Sequence, residues 1–480
     1  MQDYYRPVYH FTARQGWMND PNGLIQFRGT YHAFYQHYPY APKWGPMHWG
    51  HAVSRDLVHW EHLPIALYPD QDYEKGCFTG SAVDNNGELT LVYTAHHDER
   101  SPRETQCLAF SRDGIYFTKY EKNPVIKGPP PGYGEEFRDP KVFRRGEDWY
   151  IVVGCTRENR GGVLLYTSPD LRRWDLVGLF CESDGAQGIM WECPNFFQLD
   201  GAWVLLISPI DMEKARCIFI TGEADFEKPA FMQKKWSRAD YGLDFYAPQV
   251  FTDERGRCIL LGWMDMWGDF PTRKDGWAGA FTFPRQLFLE GATVCQRPVE
   301  ELALLRRKEL FNGNLKLRRG QKNNLANIQG DCLEIEFTIP RGKLESGVLT
   351  MLLRASADRK ERVLLQWDLS SQVFTLDKEQ SGSGQGDTPK PAARKQPWAG
   401  LSTEKTSIPL EEDGEKQVHI LVDRSSIEIF LCGGKFVFTN WIFPRPASVF
   451  YDLFMEGAEL SIPDLKIFEL GSGLETPASG

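Results

Sequence analysis

The 480-residue sequence has no uninterrupted apolar run as long as the roughly 18 residues that a membrane-spanning helix requires. It also has no excess of positive charge, since 65 Asp and Glu side chains outnumber 55 Lys and Arg and give a formal net charge of −10. Nucleic acids and anionic lipids are bound through clustered Lys and Arg, so this composition argues against both. We therefore expect a small-molecule ligand that is neutral or compact and polar, and no nucleic-acid or membrane partner.

The cysteines lack the spacing of a metal site or a disulfide framework. Ten cysteines are spread singly from Cys77 to Cys432 without a CxxC pair, so neither zinc ligands nor disulfides are predicted. The first residues, MQDYYRPVYHFTARQ, contain neither the apolar stretch nor the small-residue cleavage site of a secretory signal. The sequence therefore predicts a cytoplasmic protein with reduced thiols.

An internal repeat organises the first 290 residues. Short segments rich in β-branched and aromatic residues predict strands throughout this region. The motifs SRDLVHW, SRDGIYF and SPDLRRW share a Ser-x-Asp start, and their serines, Ser54, Ser111 and Ser168, follow one another at intervals of 57 residues. A period of this kind is typical of propeller blades, and about 290 residues accommodate five. We predict a five-bladed β-propeller over residues 1–292.

A second series falls once in each repeat, at intervals of 53 to 61 residues. Its members are Asp20, Phe78 with Thr79, Asp139, Glu192 and Tyr246. If each marks the innermost strand of its blade, the five positions converge on the central axis. Three of them are acids, and crowded carboxylates repel one another and lose solvation, so the pattern favours a functional site over a structural one.

The remaining residues predict a different domain. The segment RPVEELALLRR (297–307) predicts a short helix within a linker at 293–310, because a Pro stands at its start and Val299, Leu302 and Leu305 share one side. Alternating strands then predict a β-sandwich over 311–472, with one hairpin turning at Gly433-Gly434. The Gly/Ser/Pro-rich segment 379–400 is predicted to be an exposed loop, and 473–480 a disordered tail.

The three acids suit cleavage at the anomeric carbon of a sugar, which uses one carboxylate and one protonated carboxyl. Asp20 lies in WMNDPNG, where the following proline favours an extended backbone and Asn-Gly turns the chain, so a rigidly held nucleophile is predicted. Glu192 stands between Trp191 and Cys193, and apolar neighbours favour the uncharged carboxyl that a proton donor needs.

The third acid, Asp139, follows Arg138, and we expect this guanidinium to keep the carboxylate ionised. An ionised Asp139 would bind sugar hydroxyls and stabilise positive charge that develops on the ring. The histidines of HWGH (48–51) alternate faces and lack a third ligand, so no metal site is predicted there. AHHDE (95–99) is interpreted as a solvated edge or rim loop that could reach the pocket mouth.

The sequence contains the motifs WMNDPNG, FYQHYP, WGPMHWGHAVSRDLVHW, FTGS, FRDP, WECP and VDRSSIEIF. Together they resemble the motifs of glycoside hydrolase family 32, and the resemblance covers about residues 5–470. That family comprises invertases, sucrose-6-phosphate hydrolases and fructanases, with a five-bladed propeller followed by a β-sandwich. The resemblance implies that Asp20 is the nucleophile, Glu192 the acid/base and Asp139 the transition-state stabiliser. No metal or organic cofactor is expected.

The resemblance also implies the positions that bind substrate. They are Trp17, Met18, Asn19, Gln36, Trp44, Phe78, Thr79, Arg138, Tyr246 and Trp263. Two departures concern the pocket shape: Thr79 replaces the serine of the family's common FSGS, and HYP follows Gln36 where YNP is frequent. We expect binding to survive the first change, because the hydroxyl is kept.

The expected activity is retaining hydrolysis of a terminal β-D-fructofuranosyl unit from sucrose, sucrose-6-phosphate or a short fructo-oligosaccharide. Transfer of fructose to another sugar is left open by the sequence. Two alternatives are an inverting arabinan- or xylan-active propeller hydrolase with a similar acid trio, and a carbohydrate-binding protein without catalysis. A monomer or a homodimer is expected.

Overall fold

The computed structural model describes residues 3–268, 270–341, 347–382, 405–409 and 415–473. Within these ranges the regular structure consists of 33 strands and three short 3-10 helices, so the predicted all-β class is confirmed. Most of the predicted loop at 379–400 and all but the first residue of the predicted tail at 473–480 lie outside the described residues. No helix in the described ranges has the length and apolar character needed to cross a membrane.

The first four sheets follow one another along the chain, and each contains four consecutive antiparallel strands. Sheet 1 contains β1 (Gly16–Phe27), β2 (Thr30–Tyr38), β3 (His48–Ser54) and β4 (Trp60–Leu67). Sheet 2 contains β5 (Gly76–Asn85), β6 (Glu88–His96), β7 (Glu104–Ser111) and β8 (Thr118–Lys119). Sheet 3 contains β9 (Phe137–Arg145), β10 (Asp148–Arg157), β11 (Arg160–Ser168) and β12 (Asp175–Glu182). Sheet 4 contains β13 (Met190–Leu199), β14 (Ala202–Ile210), β15 (Ile218–Asp225) and β16 (Ala230–Arg238).

Sheet 5 completes a ring. Its strands are β17 (Tyr246–Thr252), β18 (Cys258–Met264), β20 (Ala280–Phe281), β21 (Arg285–Glu290) and β22 (Thr293–Pro298). Between β18 and β20 the chain forms a 3-10 helix (Pro271–Asp275) and β19 (Trp277–Ala278), which pairs in parallel with β1 and is the fifth strand of sheet 1. Because β20 pairs with β18, this short segment joins sheet 5 to sheet 1. The first strand of each sheet packs against the first strand of the next, and β17 returns to β1. The predicted propeller architecture is thereby confirmed, with five sheets around one axis.

The 57-residue repeat has a structural cause in the turn that follows the third strand of sheets 1, 2 and 3. In each turn an aspartate two residues after the serine accepts two backbone N–H bonds of 2.8–3.1 Å. The serines that end the strands and their aspartates are Ser54 with Asp56, Ser111 with Asp113, and Ser168 with Asp170. These side chains satisfy backbone donors that the sheet leaves open, which explains why the motif recurs in sheets 1, 2 and 3.

Every first strand carries a β-bulge near its N-terminal end. The register shifts lie between Met18 and Pro21 in β1, at Thr79 in β5, and at the dipeptides Asp139-Pro140, Cys193-Pro194 and Ala247-Pro248 in the other three. Proline is tolerated at a bulge because its missing N–H removes no ladder hydrogen bond. Bulges re-aim side chains and are common beside active sites. The Asp-Pro, Glu-Cys-Pro and Tyr-Ala-Pro motifs therefore mark one structural position in successive sheets.

The C-terminal domain is a sandwich of two antiparallel sheets, as predicted. Its strands are β23 (Arg306–Leu317), β24 (Leu333–Ile339), β25 (Val348–Ala355), β26 (Val363–Asp368), β27 (Val373–Asp377), β28 (Lys405–Pro409), β29 (Lys416–Val422), β30 (Ser426–Leu431), β31 (Phe436–Trp441), β32 (Phe450–Glu456) and β33 (Leu460–Leu470). The sheet orders are β23-β33-β24-β29-β30-β31 and β28-β27-β26-β25-β32. Fully buried Ile335, Met351, Leu365, Ile420 and Leu453 fill the space between the sheets.

The connection between the domains is shorter than the predicted linker at 293–310. Strand β22 ends at Pro298, where a missing N–H is tolerated, a 3-10 helix spans Glu300–Leu305, and β23 begins at Arg306. The sheet-5 strand thus extends six residues beyond the predicted end of the propeller. Val299, Leu302 and Leu305 are buried in an apolar cluster that contains residues of both domains, and they form the apolar side that the sequence indicated.

A buried ionic network joins the two domains. His10 lies between Asp423 and Glu428 of the sandwich, with Nδ1 and Nε2 at 2.9 and 2.8 Å from their carboxylates. Arg285 of sheet 5 donates to Glu428 and, at 3.0 Å, to Asp240. All five side chains are almost fully inaccessible to solvent. The VDRSSIEIF motif therefore fixes the sandwich against the propeller.

Candidate active site

The second series from the sequence lies at one end of the ring. Asp20, Thr79, Asp139, Glu192 and Tyr246 all occur within the first five residues of β1, β5, β9, β13 and β17, respectively. Because these strands surround the axis and run in the same sense, their N-terminal ends meet. Five residues that are far apart in the sequence therefore converge on one site.

Asp20 is held by hydrogen bonds on both carboxylate oxygens. Thr79 Oγ1 donates to Oδ2 over 2.6 Å, and the Asn19 amide donates to Oδ1 over 3.0 Å. The Cys193 thiol also approaches Oδ2, at 3.4 Å. Burial raises the pKa of Asp20, and nearby Glu192 adds to this, while the three donors oppose it. The side chain is thus fixed in orientation, with donors that favour its ionised form.

Asp139 occupies the bulge of β9 with a positive φ of 64°, a backbone conformation that non-glycine residues adopt at a cost of about 1–3 kcal/mol. Its Oδ2 accepts a 2.8 Å hydrogen bond from the backbone N–H of Cys193. Its own N–H donates to Thr94 Oγ1 over 3.0 Å. Cys193 therefore bridges two acids, binding Asp139 through its backbone and Asp20 through its thiol.

The pKa of Asp139 is raised to about 8, chiefly by burial and also by the charges of Glu192 and Asp20, which outweigh the opposing effect of Arg138. The expectation that Arg138 keeps this carboxyl ionised is therefore wrong. Successive strand residues point to opposite sides, and the Arg138 guanidinium instead contacts Glu104, Glu136 and Glu192.

Glu192 has a polar environment. Arg138 Nη2 donates to Oε1 over 2.9 Å, and the Tyr246 hydroxyl donates to Oε2 over 2.6 Å. The predicted apolar surroundings are a second error, because the flanking Trp191 is fully buried and donates from its indole to the Gln187 carbonyl. The position of the Glu192 carboxyl is set by residues one repeat away on either side.

A chain of charged groups continues from Arg138 to the rim. Glu104 binds Arg138 and accepts from the backbone N–H of Phe137; burial opposes its ionisation, but Arg138 and His96 hold the pKa of Glu104 at about 2. His96 pairs with Glu104 and stacks on Phe78, with ring centroids 4.1 Å apart. His96 therefore lies at the site, in the AHHDE segment that was interpreted from the sequence as a solvated edge or rim loop that could reach the pocket mouth.

The residues predicted to bind substrate differ in how much of their surface is exposed to solvent. Trp44 is exposed, and Phe78 and Tyr246 are partly exposed. Seven others have little exposed surface: Trp17, Met18, Asn19, Gln36, Thr79, Arg138 and Trp263.

Among the buried positions, Trp17 donates to the Asn19 amide oxygen over 2.7 Å, so it orients the residue that binds Asp20. The Trp263 ring packs edge-on against Trp17, with centroids 5.7 Å apart. Gln36 donates to the Cys77 carbonyl over 2.9 Å. These residues form the wall behind the carboxyl groups.

Met18 does not belong to that wall. Its side chain has no exposed surface and lies in the apolar cluster that the two domains share, and its sulfur accepts from the Ala13 N–H. The prediction of a sugar contact at Met18 is therefore not supported, because the strand turns this side chain away from the axis.

Sequence reasoning missed Cys193, Glu104 and Thr94. Cys193 lies inside the WECP motif, but a lone cysteine gave no signal of the two contacts it makes. Glu104 and Thr94 lie on β7 and β6, outside the repeated motif positions, and only the folded sheets bring them to Arg138 and Asp139.

In the described part of the chain, one group of side chains has ligand atoms close enough to hold a metal ion: Glu334, Glu336 and His419 in the sandwich. Arg306 already donates to both oxygens of Glu334, over 2.6 and 2.7 Å, and His419 approaches the same carboxylate at 3.0 Å. This arrangement is accounted for by an ion-pair network.

Comparisons with known proteins cover both domains. Residues 10–298 match the model of the glycosyl hydrolases family 32 N-terminal domain, and residues 301–469 match that of the family 32 C-terminal domain. A sucrose-6-phosphate hydrolase of Zymomonas mobilis is 39% identical over 92% of this chain and 88% of its own length. A levanase of Bacillus subtilis is 36% identical over 97% of this chain and 70% of its own. A mutant of the Bombyx mori β-fructofuranosidase in complex with sucrose superposes with a TM-score of 0.81 and 33% identity, covering 98% of this chain and 95% of that one.

Proposed function

The chain belongs to glycoside hydrolase family 32, and from that premise we propose how its carboxyl groups cleave a β-fructofuranosidic bond. It is a β-fructofuranosidase, a glycosidase that releases terminal fructofuranosyl units. The observation that carries the proposed mechanism is the meeting of Asp20, Asp139 and Glu192 at one end of the ring, with Cys193 bound to both aspartates.

In the first step Asp20 attacks C2 of the fructosyl unit while Glu192 protonates the departing glycosidic oxygen. Hydrogen bonds from Thr79 and Asn19 fix the Asp20 carboxylate, as a nucleophile requires. Contacts with Arg138 and Tyr246 hold Glu192 where it can reach the leaving group. The products are a covalent fructosyl ester of Asp20 and the free aglycone.

In the second step Glu192 takes a proton from water, which attacks C2 and releases fructose with retained configuration. For this double displacement the carboxyl groups of Asp20 and Glu192 should lie about 5–5.5 Å apart. The family match favours this retaining mechanism over the inverting arabinan- or xylan-active alternative.

Asp139 binds the fructosyl hydroxyls in both steps. With its pKa raised to about 8 by burial and by the neighbouring carboxylates, it is a hydrogen-bond donor to the sugar at neutral pH. The carboxyl oxygen that carries no proton faces the positive charge that develops on the ring, and this attraction stabilises the transition state without a proton transfer from Asp139.

The candidate substrates are sucrose, sucrose-6-phosphate and short fructo-oligosaccharides, and the names of the relatives include both sucrose-6-phosphate and levan enzymes. A reducing, cytoplasmic setting is supported by the ten free cysteines, nine of which are buried. A monomer or homodimer without cofactor stays a prediction.

The test measures fructose release from sucrose, sucrose-6-phosphate and 1-kestose by the wild type and by Asp20→Asn. We expect the substitution to lower kcat by about a thousandfold or more, because no nucleophile remains. Asp113→Asn is the matched control, since Asp113 lies in a turn at the opposite end of sheet 2. A wild type without activity on all three sugars, or an Asp20→Asn variant with wild-type rates, would contradict the proposal.

A further inference from the structure

A groove crosses the outer face of the second sheet of the sandwich, and every residue that lines it belongs to the sandwich domain. Its volume is about 510 Å³, within the range of roughly 300–1,000 Å³ that is typical of small-molecule sites. Three neighbouring strands, β26, β25 and β32, form its floor. The other sheet packs against the propeller through Leu421, Phe430 and Val437, so the groove faces away from the propeller.

The floor combines apolar and polar side chains. Met351 of β25 points into the core between the sheets, so its neighbours Thr350 and Leu352 face the groove. On the flanking strands, Thr350 is paired with Gln366 and Phe454. A ligand that lies on this floor therefore meets a hydroxyl, an amide and apolar carbon within a small area.

Two polar groups that line the groove are buried without a partner. Thr350 is 2% exposed, yet its Oγ1 has no hydrogen-bond partner within the described residues. Arg359 likewise has a buried Nη1 that meets no acceptor in that part of the chain. A buried polar group without a partner costs stability and calls for an explanation, and a role in binding a ligand provides one.

Three cations stand around the floor, namely Lys322, Arg359 and Arg362. Lys322 Nζ lies over the ring of Phe454, 4.8 Å from its centroid, which places this ammonium group at the groove. Its distance of 3.8 Å from the exposed carboxylate of Glu456 is long for a hydrogen bond. Lys322 therefore keeps donors that a ligand can use.

The two arginines have uncompensated charge. Arg359 donates to a neighbouring asparagine oxygen over 3.3 Å, and Arg362 donates from Nη1 to two backbone carbonyls, over 2.9 and 3.0 Å. The nearby acids bind other groups: Asp358 accepts from a serine hydroxyl, Glu361 from an arginine outside the groove, and Asp452 from two backbone N–H groups. The groove is thus positive in a chain with a net charge of −10.

We propose that this groove binds a compact phosphate ester, such as a hexose phosphate. The planar donor pairs of arginine match phosphate oxygens, and Lys322 adds a third cation. Thr350 and Gln366 offer hydrogen bonds to hydroxyls of the organic part, whose carbon atoms lie on Leu352. The groove and the three acids lie in different domains, so the inference goes beyond the proposed function and does not rest on it.

The experiment is isothermal titration calorimetry of the full chain with fructose 6-phosphate, inorganic phosphate and fructose. We expect the wild type to bind fructose 6-phosphate most tightly of the three. Arg359→Gln and Arg362→Gln should each raise its Kd by about tenfold or more, because each removes a hydrogen bond between charged groups. Thr350→Val conserves the side-chain volume and should raise the Kd by about fivefold through loss of the hydroxyl.

Two control variants separate the groove from other sources of affinity. Lys466→Gln removes an exposed charge from the other sheet of the sandwich and should leave the Kd unchanged. Lys43→Gln removes an exposed cation beside Trp44 at the propeller and should also leave it unchanged. Hydrogen–deuterium exchange with fructose 6-phosphate should show protection around Lys322 and in residues 356–362. Thermal unfolding of each variant verifies that its fold is kept.

Three results would overturn the inference. The first is a wild type that does not bind fructose 6-phosphate. The second is an affinity that falls in Lys43→Gln and is unchanged in the three groove variants, because the phosphate would then bind at the propeller. The third is fructose that binds as tightly as its phosphate and loses affinity equally in the arginine variants, because the groove would then recognise the sugar alone. None of these results bears on cleavage of sucrose, which tests the proposed function separately.

Discussion

The hydrogen bond from Thr79 to Asp20 allows the nucleophile assignment to be tested without removing the nucleophile. Thr79 is buried, and its hydroxyl is 2.6 Å from Oδ2 of Asp20. Thr79→Val replaces this hydroxyl by a methyl group of similar size, so the volume is conserved while the donor is lost. A hydrogen bond to a charged group contributes about 1.5–3 kcal/mol. If the bond persists in the transition state, the loss in kcat/KM is about 10- to 100-fold.

The pH profile gives a second readout of the same substitution. Burial raises the pKa of Asp20 and the Thr79 hydroxyl opposes that rise, so its removal raises the pKa further. Because the nucleophile must be ionised, the acidic limb of the kcat/KM profile should move to higher pH in Thr79→Val. Thr79→Ser keeps the donor and should keep both the rate and the limb.

The assay is initial-rate hydrolysis of sucrose or 1-kestose between pH 4 and pH 8 for the three proteins. A valine variant with the wild-type kcat/KM and an unmoved acidic limb would refute the reasoning, since the bond would then contribute nothing to the reactive form of Asp20. Equal losses in the serine and valine variants would point to packing rather than hydrogen bonding.

Three further predictions concern the acid/base residue and stability. Tyr246→Phe removes the 2.6 Å donor to Glu192 and should lower kcat/KM for sucrose by about tenfold, with an unchanged Tm; wild-type kinetics would contradict this. Burial opposes protonation of His10, but contact with Asp423 and a second carboxylate raises the pKa of His10 from 6.5 to about 9. The stability that protonated His10 gives the folded protein is therefore complete below pH 6.5 and is lost as the pH rises through 9. Tm measured from pH 6 to 10 should therefore fall more steeply in the wild type than in His10→Gln. Burial lowers the pKa of His32 to about 4, so unfolding takes up a proton below pH 6.5. The Tm should therefore fall as the pH is lowered from 6.5 to 4, and it should fall less in His32→Asn. An equal fall of Tm in the two proteins would contradict the lowered pKa of His32.

The fold was predictable because its repeat is encoded locally. The Ser-x-Asp turns satisfy backbone donors within three residues, so the same short motif had to recur in successive sheets. The positions of Asp20, Asp139 and Glu192 could be predicted for a related reason, since each lies at a bulge that a nearby proline accompanies.

The electrostatics of the site could not be predicted from neighbours in the sequence. Arg138 precedes Asp139 but binds Glu192, 54 residues away, and Tyr246 reaches Glu192 over the same interval. A bulge and the alternation of side chains along a strand decide which groups meet, and neither is visible in a motif. The same alternation buries Met18, although its neighbours Trp17 and Asn19 both support the site.

The central claim is that Asp20 forms a covalent bond to the sugar, and trapping that intermediate tests it most directly. Glu192→Ala removes the base that activates water, and β-fructofuranosyl fluoride supplies a leaving group that needs no proton. After mixing, intact-protein mass spectrometry should show the addition of one fructosyl unit, and peptide mapping should place it on Asp20. Fluoride release without an adduct on Asp20, or an adduct on Asp139, would contradict the account.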